Sequence, residues 1–166
     1  SSAAKVREYV APAASEPVQQ IEAARAEVAP EPTEAQKEAG NYKKGHLTLQ
    51  GLDIALENPK GSTRSGTDQD GKAWQSTMAH DYGYIKRTLG ADGGHVDVFI
   101  GDQPDSETVY VVDQVDPGTG KFDEHKVMMG FADEQAARAG YLANYEQGWE
   151  GLGAIKSMPV DTFKRW

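Results

Sequence analysis

The sequence predicts an α+β domain, strands first and helices last, built on a small five-stranded curled sheet or barrel. Three observations predict it. Composition breaks sharply near residue 40, so the folded part starts there. Beyond that break, five short segments alternate apolar and polar side chains and are joined by Gly-rich connections. Helical periodicity comes only near the C-terminus.

Residues 1–40 hold 11 Ala, 7 Glu and 4 Pro and no Leu, Phe, Trp or Met. So few large side chains bury too little apolar area to offset ordering entropy, and the stretch reads as a disordered linker. Gln19 to Ala29 has good helix formers and reads as transiently helical until Pro30 and Pro32 stop it. The remainder, 41–166, reads as one domain. HLTLQ (46–50), LDIALE (52–57), HVDVFIG (95–101), TVYVVDQV (108–115) and HKVMMGF (125–131) read as its strands. Asp133 is placed to cap a helix through Tyr145, with Ala137, Tyr141 and Tyr145 on one face and Gly148 past its end. A last helix starts at Pro159 and stacks Val160, Phe163 and Trp166.

The 166 residues carry 17 Lys or Arg against 26 Asp or Glu, a net charge of -9. That balance argues against phosphate-neutralising binding of nucleic acid. Mean hydropathy is -0.65 and no apolar run reaches membrane-spanning length. Cysteine is absent, which removes disulfides, thiolate zinc sites and thiol nucleophiles and fits a cytoplasmic protein. The opening residues have neither an initiator Met nor a hydrophobic signal core, and read as part of a longer chain.

Ten acids lie between Asp81 and Glu124: Asp81, Asp92, Asp97, Asp102, Asp105, Glu107, Asp113, Asp116, Asp123 and Glu124. Carboxylates at strand ends and in Gly-containing turns suit a hard cation such as Mg²⁺, which takes oxygen ligands. They equally suit solvated turns. Asp97 stands apart, because alternation puts it on one strand face with His95 and Phe99, between Val96 and Val98 on the other. Pointing inward, it needs a partner or a metal.

The order of residues in DYGYIKRTLGADGGHVDVFIG, Asp81 to Gly101, resembles the signature of the soluble inorganic pyrophosphatases: N-Y-G-[FY]-I, a turn with Thr, then D-G-D-P-x-D-V. Tyr82, Gly83, Tyr84, Ile85, Thr88, Asp92, Gly93, Asp97 and Val98 fall in register. Upstream, ENPKGSTRSG from Glu57 is similar to the family's E-I-P-x-G-S segment, and VDPGTGKFDEHK resembles its turn with two metal-binding acids and a phosphate-binding Lys. With YLANYEQGW and FKRW, the chain looks most like the pyrophosphatase-like domains of large multi-domain phage and plasmid proteins.

The resemblance implies an OB-like, pyrophosphatase-like fold and Mg²⁺-dependent (or Mn²⁺-dependent) hydrolysis of pyrophosphate or a related small phosphoanhydride. It implies that Asp92 and Asp97 hold the activating metal, that Asp116 is a further ligand with Asp123 or Glu124 beside it, and that Glu57 orients ligands or holds metal through water. Lys126 and Arg64 would contact phosphate, and Tyr82 would hydrogen-bond it, with Asp97 and Tyr82 in the catalytic set. The departures are equally specific. Gly94 replaces the family's middle acid, a metal ligand and proposed base, and His95 replaces its Pro. The family's Arg before the aromatic block is unmatched, and Met78 replaces a Tyr. His80, His95 or His125 could offer a substitute base near neutral pH. The opposing expectation is a degenerate module that only binds metal or phosphate, or acts as an interaction domain. A partial EF-hand at DQDGKAW fails for want of a fifth-position ligand and a closing Glu, and no nucleophile elbow or P-loop is present.

Overall fold

The computed structural model describes residues 16–28, 43–68, 70–91 and 93–166. Among them the chain runs α1 (Glu16–Glu27), β1 (Gly45–Leu49), β2 (Leu52–Asn58), β3 (Thr63–Thr67), β4 (Ala73–Thr77), β5 (Asp81–Ile85), β6 (Val96–Ile100), β7 (Thr108–Val115), β8 (Phe122–Met129), α2 (Glu134–Ala143), β9 (Leu152–Pro159) and α3 (Val160–Arg165). Seven strands form one sheet in the order β1-β2-β5-β6-β8-β7-β9, and β3-β4 is a separate hairpin. Every neighbour pair is antiparallel except β6 and β8, which run parallel.

The five expected strands are present as β1, β2, β6, β7 and β8. The sheet has seven strands rather than five, and β1 and β9 lie at opposite ends of an open order, so there is no closed barrel. The additional strands lack alternation. β5 is buried almost throughout, β9 is an edge strand mostly open to solvent, and the β3-β4 hairpin is polar. The two expected C-terminal helices form, but β9 separates them.

The middle strands are apolar on both faces because both are covered. Val98, Ile100, Val109, Val111, Val127 and Met129 pack on one side with Ile21 and Ala24 of α1 and Val160 and Phe163 of α3. Phe99, Tyr110, Val112 and Met128 pack on the other with Ala137 and Tyr141 of α2. Asp133 caps α2, accepting from the Ala136 amide at 2.7 Å. The helix stops at Ala143, two residues before the expected Tyr145, with Asn144 as C-cap. Gly148 follows at φ 85°, a left-handed conformation that suits Gly.

Helix α1 lies inside the stretch expected to be linker, yet it is docked on the sheet. Ala24 and Gly45 explain how so small a helix can pack: a Cβ at Gly45 would sit 2.1 Å from the Ala24 carbonyl oxygen, so helix and strand backbones touch. Ile21 adds one large buried side chain, which stabilises by about 1.5–3 kcal/mol. Arg25 then forms an ion pair with Asp81 at the start of β5. Residues 1–15 and 29–40 of the expected linker, and 41–42 of the expected domain, lie outside the described residues.

Candidate functional site

Strand register builds the site. Tyr82 of β5 lies opposite Phe99 of β6, and the parallel β6-β8 pairing sets Asp97 beside Lys126. Alternation carries Tyr82, Asp97, Glu124 and Lys126 to the α2 side of the sheet, the face shared with Phe99 and Met128. Lys126 is the hub. Its buried Nζ donates to Asp97 Oδ2 at 2.6 Å and to Tyr82 Oη at 2.9 Å, and lies 2.7 Å from Glu124 Oε1. The inward carboxylate expected at Asp97 therefore has its partner. Burial works against the Lys126 charge, but Tyr82, Tyr145, Asp97 and Glu124 outweigh it and raise its pKa well above the ordinary lysine value. Burial pushes Tyr82 up to about 12 despite Lys126 and Arg64 nearby. Its hydroxyl stays protonated at neutral pH and can still donate.

A cavity of about 580 Å³ opens beside this hub, walled by Arg64, Lys72, Trp74, Phe99, Gln114, Glu124, Lys126, Tyr145 and Trp149 among others. Arg64, on β3, stacks its guanidinium over Tyr82 (4.7 Å) and Trp74 (5.3 Å). Burial opposes its charge, but Tyr82, Tyr145, Asp97 and Glu57 overcome that and raise its pKa. No ion pair joins Arg64 to a carboxylate among the described residues. Gln114 backs the cavity: its Oε1 accepts from Tyr141 and Tyr145, while its Nε2 donates to Asp123 at 3.3 Å and Glu124 at 3.5 Å. Asn144 anchors the β3-β4 hairpin by accepting from the Ala79 and His80 amides with its side chain and from Ser76 Oγ with its carbonyl.

The structure brings together Tyr82, Asp97, Glu124, Lys126 and Arg64 and leaves other expected residues apart. Asp92 lies outside the described residues. Asp116 accepts from the Gly118 amide at 2.7 Å and closes the β7-β8 turn, which is turn chemistry. Asp123 is exposed and bonded to Gln114, while Glu124, two residues before Lys126, points to the hub. Glu57 sits near the end of β2, close enough to support the Arg64 charge. None of the three candidate bases walls the cavity. His95 stacks on Tyr84, His80 pairs with Asn144, and His125 faces Asp113 between Phe122 and Trp166.

Among the described residues no three His, Asp or Glu side chains come together as a metal site. Asp68, Glu124 and Glu146 line the cavity, and Glu124 is already bound, with Asp97 behind it, to one ammonium. Among the described residues, which do not include Asp92, there is thus no protein-built Mg²⁺ cage, and the cavity is lined by cations, carboxylates and aromatic rings together.

Gln114, Tyr145, Trp74 and Trp149 are the site residues that sequence reasoning missed. Tyr145 was visible only as a core position at helical spacing. Gln114 had a usable signal, because it shares the strand face of Tyr110 and Val112 and so interrupts an apolar stripe.

No curated protein and no solved structure matches the chain. Residues 34–166 match the family model described as Inorganic Pyrophosphatase. That span takes in all nine strands, both C-terminal helices and the whole Lys126 cluster, and the chain belongs to the inorganic pyrophosphatase family.

Proposed function

We propose that this domain binds pyrophosphate or a related small phosphoanhydride in the cavity beside Lys126. The carrying observation is Arg64, a half-buried guanidinium packed over two aromatic rings with its charge sustained and no carboxylate ion pair among the described residues. A planar fork of N–H donors in that position matches phosphate oxygens. Lys72 supplies a second positive charge at the hairpin tip, while Lys126 is paired with Asp97 and Glu124. Tyr82 contributes a hydroxyl that remains a donor.

Turnover is the second reading, favoured by Asp97 lying on the site face in the family's register. On this reading Mg²⁺ or Mn²⁺ would arrive largely with the substrate, since Mg²⁺ is commonly bound by one or two carboxylates plus substrate phosphates. Gly94 weighs against it, because the family's proposed base is missing there. Action in the cytoplasm, as part of a larger phage or plasmid protein, belongs to the same proposal.

Calorimetric titration with pyrophosphate tests binding. Arg64→Ala should weaken it about 10- to 100-fold, the range for losing hydrogen bonds to a charged group. Equal affinity in parent and variant would remove Arg64 from the site. Phosphate release with Mg²⁺ or Mn²⁺ then separates the readings. Activity in the parent that Asp97→Asn abolishes supports hydrolysis, whereas a silent parent rescued by Gly94→Asp supports a binding module on an intact scaffold.

A further inference from the structure

The cavity holds more than the proposed phosphate contacts use. Pyrophosphate has nine non-hydrogen atoms, and at the roughly 30 Å³ a liquid water occupies they fill less than about 300 Å³. The cavity is about 580 Å³. Three aromatic residues, Trp74, Tyr145 and Trp149, share its remaining wall with polar and acidic side chains such as Gln75, Asp68 and Glu146. Trp74 is 36 % exposed, and Tyr145 and Trp149, which also line the cavity, are stacked with centroids 4.9 Å apart and planes 10° from parallel. A bare, highly charged anion gains nothing from such surfaces.

Trp74 is held for a purpose its own packing does not explain. It faces Gly66 across the hairpin, and a Cβ at Gly66 would come 2.6 Å from the indole ring, so only glycine lets the ring lie down on the strand. The Arg64 guanidinium lies over this ring, 5.3 Å from its centroid, which puts flat aromatic surface next to the cation that would hold a phosphate. Flat aromatic surface beside a phosphate-binding cation is the arrangement that takes a stacked base with its phosphates attached.

We propose that the phosphoanhydride taken by this cavity is a nucleoside polyphosphate, with its base stacked on Trp74 and its phosphate chain directed to Arg64 and Lys72. The inference rests on the phosphate reading above and names its substrate class. Trp74 is then a specificity-determining residue, since base stacking on an aromatic ring accounts for about 5- to 100-fold in affinity.

Titration calorimetry with ADP and with pyrophosphate as probes tests it, read out as the ratio of the two affinities. In the parent, ADP should bind more tightly than pyrophosphate. Trp74→Ala should lower that preference about 5- to 100-fold, and Trp74→Phe, which keeps a stacking ring, should restore most of it. Quenching of tryptophan fluorescence by ADP should weaken in parallel. A parent that binds pyrophosphate as well as or better than ADP overturns the nucleotide inference and leaves the phosphate reading standing. An unchanged ratio in Trp74→Ala overturns it equally. Binding of neither probe to the parent would overturn both.

Discussion

Removing Arg25 should loosen helix α1 and destabilise the whole domain. Its guanidinium donates Nε to Asp81 Oδ1 at 2.9 Å and Nη2 to Oδ2 at 2.7 Å, and the Lys60 amide adds a third bond to Oδ1 at 2.8 Å. The Asp81 side chain is 2 % exposed and that of Arg25 is 38 %. Breaking a fully buried ion pair costs about 3–5 kcal/mol, mostly the uncompensated charge left behind. Because Arg25 reaches water, solvent can partly replace it, and about 2 kcal/mol is the reasonable figure for Arg25→Ala. In a chain of this size that corresponds to a Tm lowered by about 4–8 °C. Thermal and urea unfolding followed by circular dichroism would read it. Adding Asp81→Asn to Arg25→Ala should recover about half the loss, because a neutral amide leaves no buried charge. A Tm for Arg25→Ala equal to the parent's would refute the reasoning, and with it the claim that this pair anchors α1.

Two further perturbations test the sheet and the site. Gly83→Ala would place a Cβ 2.0 Å from the Ala55 carbonyl oxygen, and a backbone atom cannot swing aside, so about 3 kcal/mol should be lost as β2 and β5 part; a parent-like urea midpoint would contradict this. Alkaline stability follows from Tyr82 and Tyr145, both pushed up to about 12 chiefly by burial. Unfolded tyrosines ionise near 10, so their contribution is complete below that pH and is lost between about 10 and 12, by roughly 2–3 kcal/mol for each ring. Urea unfolding from pH 9 to 11.5 should show the decline, and Tyr145→Phe should make it shallower.

The legible parts of this fold were those whose information is local. β6 and β7 announce themselves by alternation, and α2 by Asp133 ahead of an Ala-rich face. β5 escaped because its five residues centre on a Gly and start with a charge, which leaves no run of strand formers, and DYGYI was readable only as a motif. Helix α1 was legible as a transient helix, but its docking on the sheet escaped for a different reason. Its hold depends on Gly45, Ala24 and Asp81, residues that carry no apolar bulk and lie far apart in sequence. In the site, Arg64, Tyr82, Asp97, Glu124 and Lys126 came from the order of a resembling motif, and no periodicity could have joined them. The count of acids did not by itself reveal local roles: Asp116 accepts from a turn amide, and Asp81 pairs with Arg25. Arg64's aromatic cage was invisible because Trp74 and Tyr82 flank it from two different sheets.

The parallel seam between β6 and β8 has a consequence for the order in which the domain assembles. β5-β6 and β7-β8 are each antiparallel neighbours in sequence and can pair through short closures. Joining them aligns Asp97 with Lys126 across 29 positions, a slower, non-local closure. The cation hub therefore comes into being only when two separately formed hairpins zip together. Occupancy of the cavity would bind the two hairpins to each other, so a phosphate ligand should slow their parting and act as a brake on unfolding.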